Sequence, residues 1–412
     1  MNSPPCRFCK TPLTHTFLDL GDQPLANAYL TPEQLGTGLE QAYPLHARVC
    51  NVCFLVQVDD PVAASDIFDA GYAYFSSYSE SWVAHAKRYA EAMTARFGLG
   101  PSSLVMEIAS NDGYLLQHFR AMGVPVLGIE PAANTAEAAR AIGVPTEVMF
   151  FNAATAKALA ARGVAADLIA GNNVLAHVPD IGDFVAGFRH VLKPEGVLTF
   201  EFPHLLRLIE LVQFDTIYHE HYSYLSALTV ERVLAAAGLK AFDVEQLPTH
   251  GGSLRLFCAH AASGHAETDA LRALRAQEAA AGLDRIEGYQ GFAPRVEAVR
   301  DGFLAFLAKA KAEGKTVAAY GAAAKGNTFL NYAKATSRDI VCAFDANPHK
   351  QGRFLPGSHV PILTPEMVAQ VKPDYVLILP WNLKDEIMGQ LAYVRDWGGA
   401  FVTASPQVVV HR

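Results

Sequence analysis

The sequence predicts an α/β protein in three parts. A small loop-rich domain covers residues 1–68, a parallel-sheet α/β domain covers 69–265, and a helical linker with a second, smaller α/β domain covers 266–412. Three observations carry this expectation. Two Cys-x-x-Cys pairs stand near the N-terminus, at Cys6/Cys9 and Cys50/Cys53. Through the middle of the chain, short apolar runs alternate with helix-period segments, the pattern of strands covered on both faces by crossover helices. The same alternation restarts after a charged stretch at about 266–313. A length of 412 residues fits two or three such domains.

Taken in order, the middle strands are LVMEIA (104–109), VPVLGIE (124–130), DLIAG (167–171) and GVLTFEF (196–202). Between them, NTAEAARAI (134–142) and DFVAGFRHVL (183–192) have the 3.6-residue period of helices. The last part offers TVAAYG (316–321), DIVCAF (339–344), DYVLILP (374–380) and AFVTAS (400–405) as strands.

Composition excludes several classes. The chain is 51% hydrophobic and 18% charged, which suits a buried core and not a disordered segment. A net charge of −8 argues against a nucleic-acid partner. No apolar run reaches the roughly 18–20 residues of a membrane span. MNSPPCRFCK lacks the basic-then-apolar pattern of a secretory signal. A cytoplasmic protein with no membrane partner is therefore expected. The acidic surface and the absence of heptads point to a monomer.

In such a compartment the paired cysteines read as reduced thiols. Each Cys-x-x-Cys turn presents two thiolates to one ion, so Cys6, Cys9, Cys50 and Cys53 are expected to complete a closed, structural zinc site. Cys258 and Cys342 stand alone in apolar runs and are expected to be buried small hydrophobes.

After LVMEIA comes Ser110-Asn111-Asp112-Gly113, then the helix pattern YLLQHF. A strand, a tight loop and a helix start allow a ligand to approach backbone N–H groups. Glu130 ends the next strand, where a carboxylate can accept from ribose hydroxyls. With one glycine only, this spacing also fits an ordinary α/β turn.

These residues resemble, in order, those of the sugar C-methyltransferases of deoxysugar biosynthesis, such as the mycarose and tetronitrose nucleotide-sugar C-3 methyltransferases. The resemblance spans nearly the whole chain. It includes the four cysteines, YFSSYSES (74–81), YHEHYSY (218–224), HGGSLR (250–255) and DANPHKQGRFLPG (345–357). It implies a class I methyltransferase domain of Rossmann-like fold between a zinc-binding domain and a smaller Rossmann-like domain. S-adenosylmethionine is the implied cofactor. Glu107, Ser110, Asn111, Gly113, Glu130 and Asn172 would bind it, with the 148–153 segment flanking the adenine.

YHEHYSY concentrates two histidines, a glutamate and three tyrosines in seven residues. A catalytic metal on His219 and His221, or a buried polar tie between domains, are open readings of it. On a straight strand His219 and His221 would share a face and Glu220 would point away. The resemblance implies proton abstraction beside a ketone, with His221 as base and Tyr218, Glu220 and His177 beside it. Tyr72 is the expected further catalytic tyrosine, with Tyr78 its alternative near the substrate. A carbon nucleophile needs such a base and a donor for the enolate oxygen.

In the last domain, Gly321-Ala322-Ala323-Ala324-Lys325-Gly326-Asn327-Thr328 follows a strand and opens a helix without matching a Walker loop. The resemblance makes it a clamp over the diphosphate of a dTDP- or GDP-linked keto-deoxysugar, through Lys325, Asn327, Lys350, Arg353 and Arg255. Methylation at C-3 is the leading expectation. Methylation at C-5, or on an oxygen or nitrogen, a two-Rossmann oxidoreductase, and a nucleotide-binding interaction module remain the rival readings.

Overall fold

The computed structural model describes residues 3–59 and 75–412. The first sheet is antiparallel and small. It is formed by β1 (His15–Pro24), β2 (Ala42–Val49) and β3 (Val56–Val58). The parallel strands of the middle part follow as β4 (Val105–Ile108), β5 (Val126–Glu130), β6 (Thr146–Val148), β7 (Ala166–Asn172) and β8 (Leu192–Pro203). Then β9 (Ser223–Tyr224) returns to the first sheet and pairs with β3, so the middle of the chain supplies the N-terminal sheet's fourth strand.

Strands β10 (Leu239–Leu247) and β11 (Ser253–His260) complete the central sheet in the order β10-β11-β8-β7-β4-β5-β6. Here β11 runs antiparallel to both neighbours. The sequence reading places Cys258 in an apolar run but does not name the antiparallel pair, whose apolar runs are broken by Lys240, Asp243, Glu245 and Arg255. The third sheet has the order β14-β13-β12-β15-β16-β17. It comprises β12 (Val317–Tyr320), β13 (Ala343–Phe344), β14 (Ile362–Leu363), β15 (Tyr375–Ile378), β16 (Ala400–Thr403) and β17 (Val409–His411), and only β17 is antiparallel.

Both parallel sheets reverse direction beside their first strand. In the central sheet β4 lies between β5 and β7, and in the third β12 lies between β13 and β15. Loops on the two sides of such a switch point diverge and leave a crevice at the strands' carboxyl ends. The helices that cover the sheets obey local rules. Glu80–Phe97 begins at Ser79, whose hydroxyl accepts from the Trp82 amide, and ends at Gly98 with φ 61. Ala153–Ala161 opens with a capping box between Asn152 and Thr155.

The charged linker is two helices, Asp269–Ala280 and Phe292–Ala312. The second packs Phe292 flat on Phe17 of β1, centroids 4.7 Å apart, within a core that extends from the first sheet to β12. Among the described residues no helix is long and apolar enough to cross a membrane. Cys258 and Cys342 are buried in the core, as expected of them.

Phe292 joins two parts of the chain through one aromatic contact and is 2% exposed. Phe292→Ala is expected to lower unfolding free energy by about 3–5 kcal/mol, measured by chemical denaturation.

Candidate active site

The four N-terminal thiols converge. Their sulfur atoms lie within 4.8 Å of one another, with Cys6 and Cys53 at 3.6 Å and Cys9 and Cys50 at 3.4 Å. Zinc with Zn–S bonds of about 2.3 Å needs sulfurs about 3.8 Å apart at the corners of a tetrahedron, so the set fits that ion. Gln57 donates to the Cys6 sulfur at 3.2 Å and the Val52 amide to the Cys50 sulfur at 3.4 Å, the outer hydrogen bonds that thiolate ligands require. All four positions are protein ligands, which makes the zinc structural.

One cleft of about 980 Å³ runs from the carboxyl ends of β4, β5 and β7 to those of β12 and β13. At the central-sheet end it is lined by Ala109, Tyr114, Glu130, Asn134, Phe150, Asn172 and Asn173. Glu130 accepts from the backbone amides of Asn111 (2.8 Å) and Ala132 (2.9 Å), which aims its carboxylate at the crevice. Burial nevertheless raises its pKa. Among the described residues the side-chain carbonyls of Asn172 and Asn173 are buried without a hydrogen-bond partner. Unpaired acceptors of this kind suit the ammonium group at the methionine end of S-adenosylmethionine, and Glu130 suits its ribose.

Other loop residues stand behind this wall. Glu107 and Ser110 are almost fully buried, and Asn111 accepts from the Ser76 amide at 2.9 Å. Burial, reinforced by the Asp112 and Glu130 carboxylates, holds Glu107 well above the usual carboxylate range. Gly113 has φ 80, and a Cβ there would come within 3.2 Å of Ala139 and Val144. Its role is to let the loop pack on the next helix, so among the six cofactor candidates only Glu130 and Asn172 present side chains to the cleft.

The middle of the cleft is the YHEHYSY segment. It is a turn and not a straight strand: the His221 amide donates to the Tyr218 carbonyl at 2.9 Å. The turn sends Glu220 and His221 into the cleft together and turns His219 away, where it donates to the Pro44 carbonyl at 3.2 Å. This corrects the expectation that the two histidines share a face. It also points the two proposed metal-ligating histidines apart, and among the described residues the four cysteines are the one group of three or more such side chains close enough to share an ion.

His221 donates through Nδ1 to the Thr216 carbonyl at 2.9 Å. Its Nε2 is therefore an acceptor, and the Tyr218 hydroxyl donates to it at 2.7 Å. Burial first, then the neighbouring His177, hold His221 well below the usual histidine range, so it is neutral at neutral pH. His177 donates through Nδ1 to the Glu220 carbonyl at 2.9 Å and stands edge-on to His221, centroids 4.6 Å apart. Glu220 is pushed up to about 7 by burial, although the Asn27 amide donates to both its oxygens.

The far end carries Lys325, Lys350 and Arg353. Burial lowers both lysines, opposed at Lys325 by Asp215 and at Lys350 by Asp345. Two expected diphosphate ligands are elsewhere. The Arg255 guanidinium is buried and committed to Glu201 and Glu245, each at 2.7 Å, because it sits on β11 facing those carboxylates. Asn327 is fully buried and donates to the Ala26 carbonyl at 2.6 Å, tying the third sheet to the N-terminal domain. Tyr78 lines the cleft and is exposed, whereas Tyr72 lies outside the described residues.

Sequence reasoning missed Asn27, Tyr29, Trp82, Asn173 and His250, all on the cleft. The Asn172-Asn173 doublet and the His250-Gly251-Gly252 step were visible signals. Asn27 and Tyr29 gave none, since only folding brings the zinc-bearing domain to the cleft.

Family models divide the chain into a zinc binding domain (residues 6–68), a methyltransferase domain (82–244) and a C-methyltransferase C-terminal domain (248–406). The fold and cleft are thus those of an S-adenosylmethionine-dependent methyltransferase. The C-methyltransferase NovU of Streptomyces niveus is 35% identical over 98% of this chain and 95% of its own. The chain belongs to this C-methyltransferase family. A ubiquinone biosynthesis O-methyltransferase of Rhodopseudomonas palustris is 26% identical over 33% of this chain and 62% of that one. Among solved structures, the 1,6-didemethyltoxoflavin-N1-methyltransferase of Burkholderia thailandensis aligns with 50% of this chain and 94% of its own, at 19% identity and a TM-score of 0.35.

Two predictions follow from these sites. The wild type is expected to carry one zinc ion per chain by elemental analysis, and Cys50→Ser to lose most of it and unfold at lower temperature. Glu220 has its folded pKa raised from 4.5 to about 7, so its stabilising protonated form is complete below pH 4.5 and lost as pH rises through 7. The difference in unfolding free energy between wild type and Glu220→Gln should therefore fall by roughly 3 kcal/mol across that window.

Proposed function

We propose that the protein methylates a carbon beside the ketone of a nucleotide-linked 4-keto-6-deoxy sugar, at C-3, by enolate formation. The observation that carries this reading is the continuity of the cleft. It joins a cofactor end, a neutral histidine–tyrosine pair and a cationic end in one space. S-adenosylmethionine, held by Glu130, Asn172 and Asn173, supplies an electrophilic methyl group when bound.

The protein's own residues make the carbon nucleophilic. A ketone oxygen entering beside Tyr218 takes over its hydroxyl as a hydrogen-bond donor, which frees Nε2 of His221. That nitrogen removes the proton on the carbon next to the ketone, and the electron pair moves to the oxygen. The Thr216 carbonyl, bonded to Nδ1, steadies the imidazolium that forms. Tyr218 holds the developing enolate oxygen. Lys325, Lys350 and Arg353 hold the diphosphate, whose charge offsets the burial that lowers both lysines. Oxygen and nitrogen acceptors carry their own lone pairs and need no base buried to this degree.

The test is incubation with dTDP- or GDP-4-keto-6-deoxyglucose in deuterated water, read by mass spectrometry and NMR. Deuterium at C-3 without cofactor, and a gain of one methyl group there with it, are expected. His221→Asn should slow both at least about 100-fold. Neither exchange nor methyl gain across several such sugars would shift the reading to oxygen or nitrogen methylation.

A further inference from the structure

His250 lines the cleft but lies outside the proton path through His221. Its backbone is left-handed, φ 53 and ψ 23, a region that residues other than glycine rarely occupy. The surroundings hold it there. The Thr249 carbonyl accepts from the Gly252 amide and the Ser253 hydroxyl, each at 2.9 Å. The Thr249 hydroxyl donates to Glu201 at 3.2 Å, and that carboxylate is fixed by His85 at 3.0 Å and Arg255 at 2.7 Å. The following Gly251 has no room for a Cβ beside Gln213 and Trp381, and one on Gly252 would meet Arg207 at 2.7 Å. Strain that neighbours over-determine in this way marks a placed side chain.

The ring itself is aimed. The Asn173 amide nitrogen lies 3.4 Å from Nε2, which makes Nε2 the acceptor and puts the hydrogen on Nδ1. Trp82 closes one side, ring centroids 5.3 Å apart. Among the described residues Nδ1 has no hydrogen-bond partner. Burial, aided by Lys325, lowers the ring's pKa to about 4, so it is neutral in the working range. A neutral imidazole can donate to an oxyanion without giving up its proton.

We propose that His250 is a further catalytic residue, donating from Nδ1–H to the enolate oxygen as a second donor beside Tyr218. The proposal rests on the enolate reading above. No bond to His250 forms or breaks: the carbon's proton goes to His221, its electron pair to the oxygen, and His250 keeps its hydrogen. The Gly251-Gly252 step then exists to seat the loop so that this donor faces the cleft, and Glu201, His85 and Arg255 are positioning residues for it.

The experiment is deuterium wash-in from solvent at the carbon beside the ketone of dTDP-4-keto-6-deoxyglucose, with S-adenosylhomocysteine bound to the full-length protein. His250→Ala should slow exchange about 100-fold, the effect of removing one oxyanion donor. Its affinity for S-adenosylhomocysteine by calorimetry should stay within about threefold of wild type. His250→Asn, which keeps a donor and tolerates positive φ, should recover to within about tenfold of wild type. His250→Asp has nearly the same shape and backbone tolerance as asparagine and, at alkaline pH where the carboxyl is ionised, only accepts, so there it should stay as slow as alanine and decides the matter should the alanine variant not fold. Exchange at the wild-type rate in His250→Ala, or asparagine no faster than aspartate, overturns the assignment while leaving the enolate reading intact. A wild type that does not exchange at all removes both.

Discussion

The short ladder between β3 and β9 sets the position of the turn that carries Glu220 and His221. Val56 pairs with Tyr224, Gln57 pairs with Ser223, and the Val58 amide donates to the Tyr222 carbonyl at 3.2 Å. Two or three backbone bonds would not hold a turn in water on their own. They hold here because the zinc-ligand turns frame β3 on one side and a helix closes on the other. The Cys53 carbonyl accepts from Thr229 at 3.3 Å and the Val52 carbonyl from Arg232 at 2.5 Å. The zinc-bearing turns are thus joined through backbone to residues 218–221, where the Thr216 carbonyl and the Tyr218 hydroxyl set the orientation of the His221 ring.

A second consequence is electrostatic. The three parts of the chain wall the cleft, and the histidines and the carboxyl group at its middle respond. His177, His221 and His250 are pushed down and Glu220 is pushed up, in each case chiefly by burial. The histidines are neutral without any partner having to make them so. Hydrogen bonds to carbonyls then decide which nitrogen is acceptor and which is donor. In such a medium a charge that develops on a substrate oxygen is stabilised more by a fixed donor than it would be in water.

Strain collects at the same place. Ala109, Asn111, Asn173 and His250 all have positive φ, and all lie in loops at the carboxyl ends of the central strands or between β10 and β11. Each of these loops bends sharply to present a wall to the crevice. The parallel strands behind them are continuous apolar runs whose packing holds the bends in place.

The sequence by itself determined the layering and much of the chemistry. Apolar runs such as LVMEIA and DLIAG, bounded by turn signals, read as interior strands, and four cysteines in two tight turns read as the ligands of one ion. His221, Tyr218, His177, Glu220, Glu130, Lys325 and Lys350, which line the cleft, were named through the family resemblance, since a histidine, glutamate or lysine taken singly is as much at home on a surface. Tertiary structure decided which of them share a space. It turned His219 outward, because a four-residue turn and not a strand carries the segment, and it took Arg255 and Asn327 from the cleft to satisfy buried partners. It also brought Asn27 and Tyr29 to the site from a part of the chain with no local signal. Periodicity and motif spacing report what a residue needs from its neighbours in sequence. The direction a side chain faces across three packed domains depends on contacts between distant segments, and those exist only once the chain has folded.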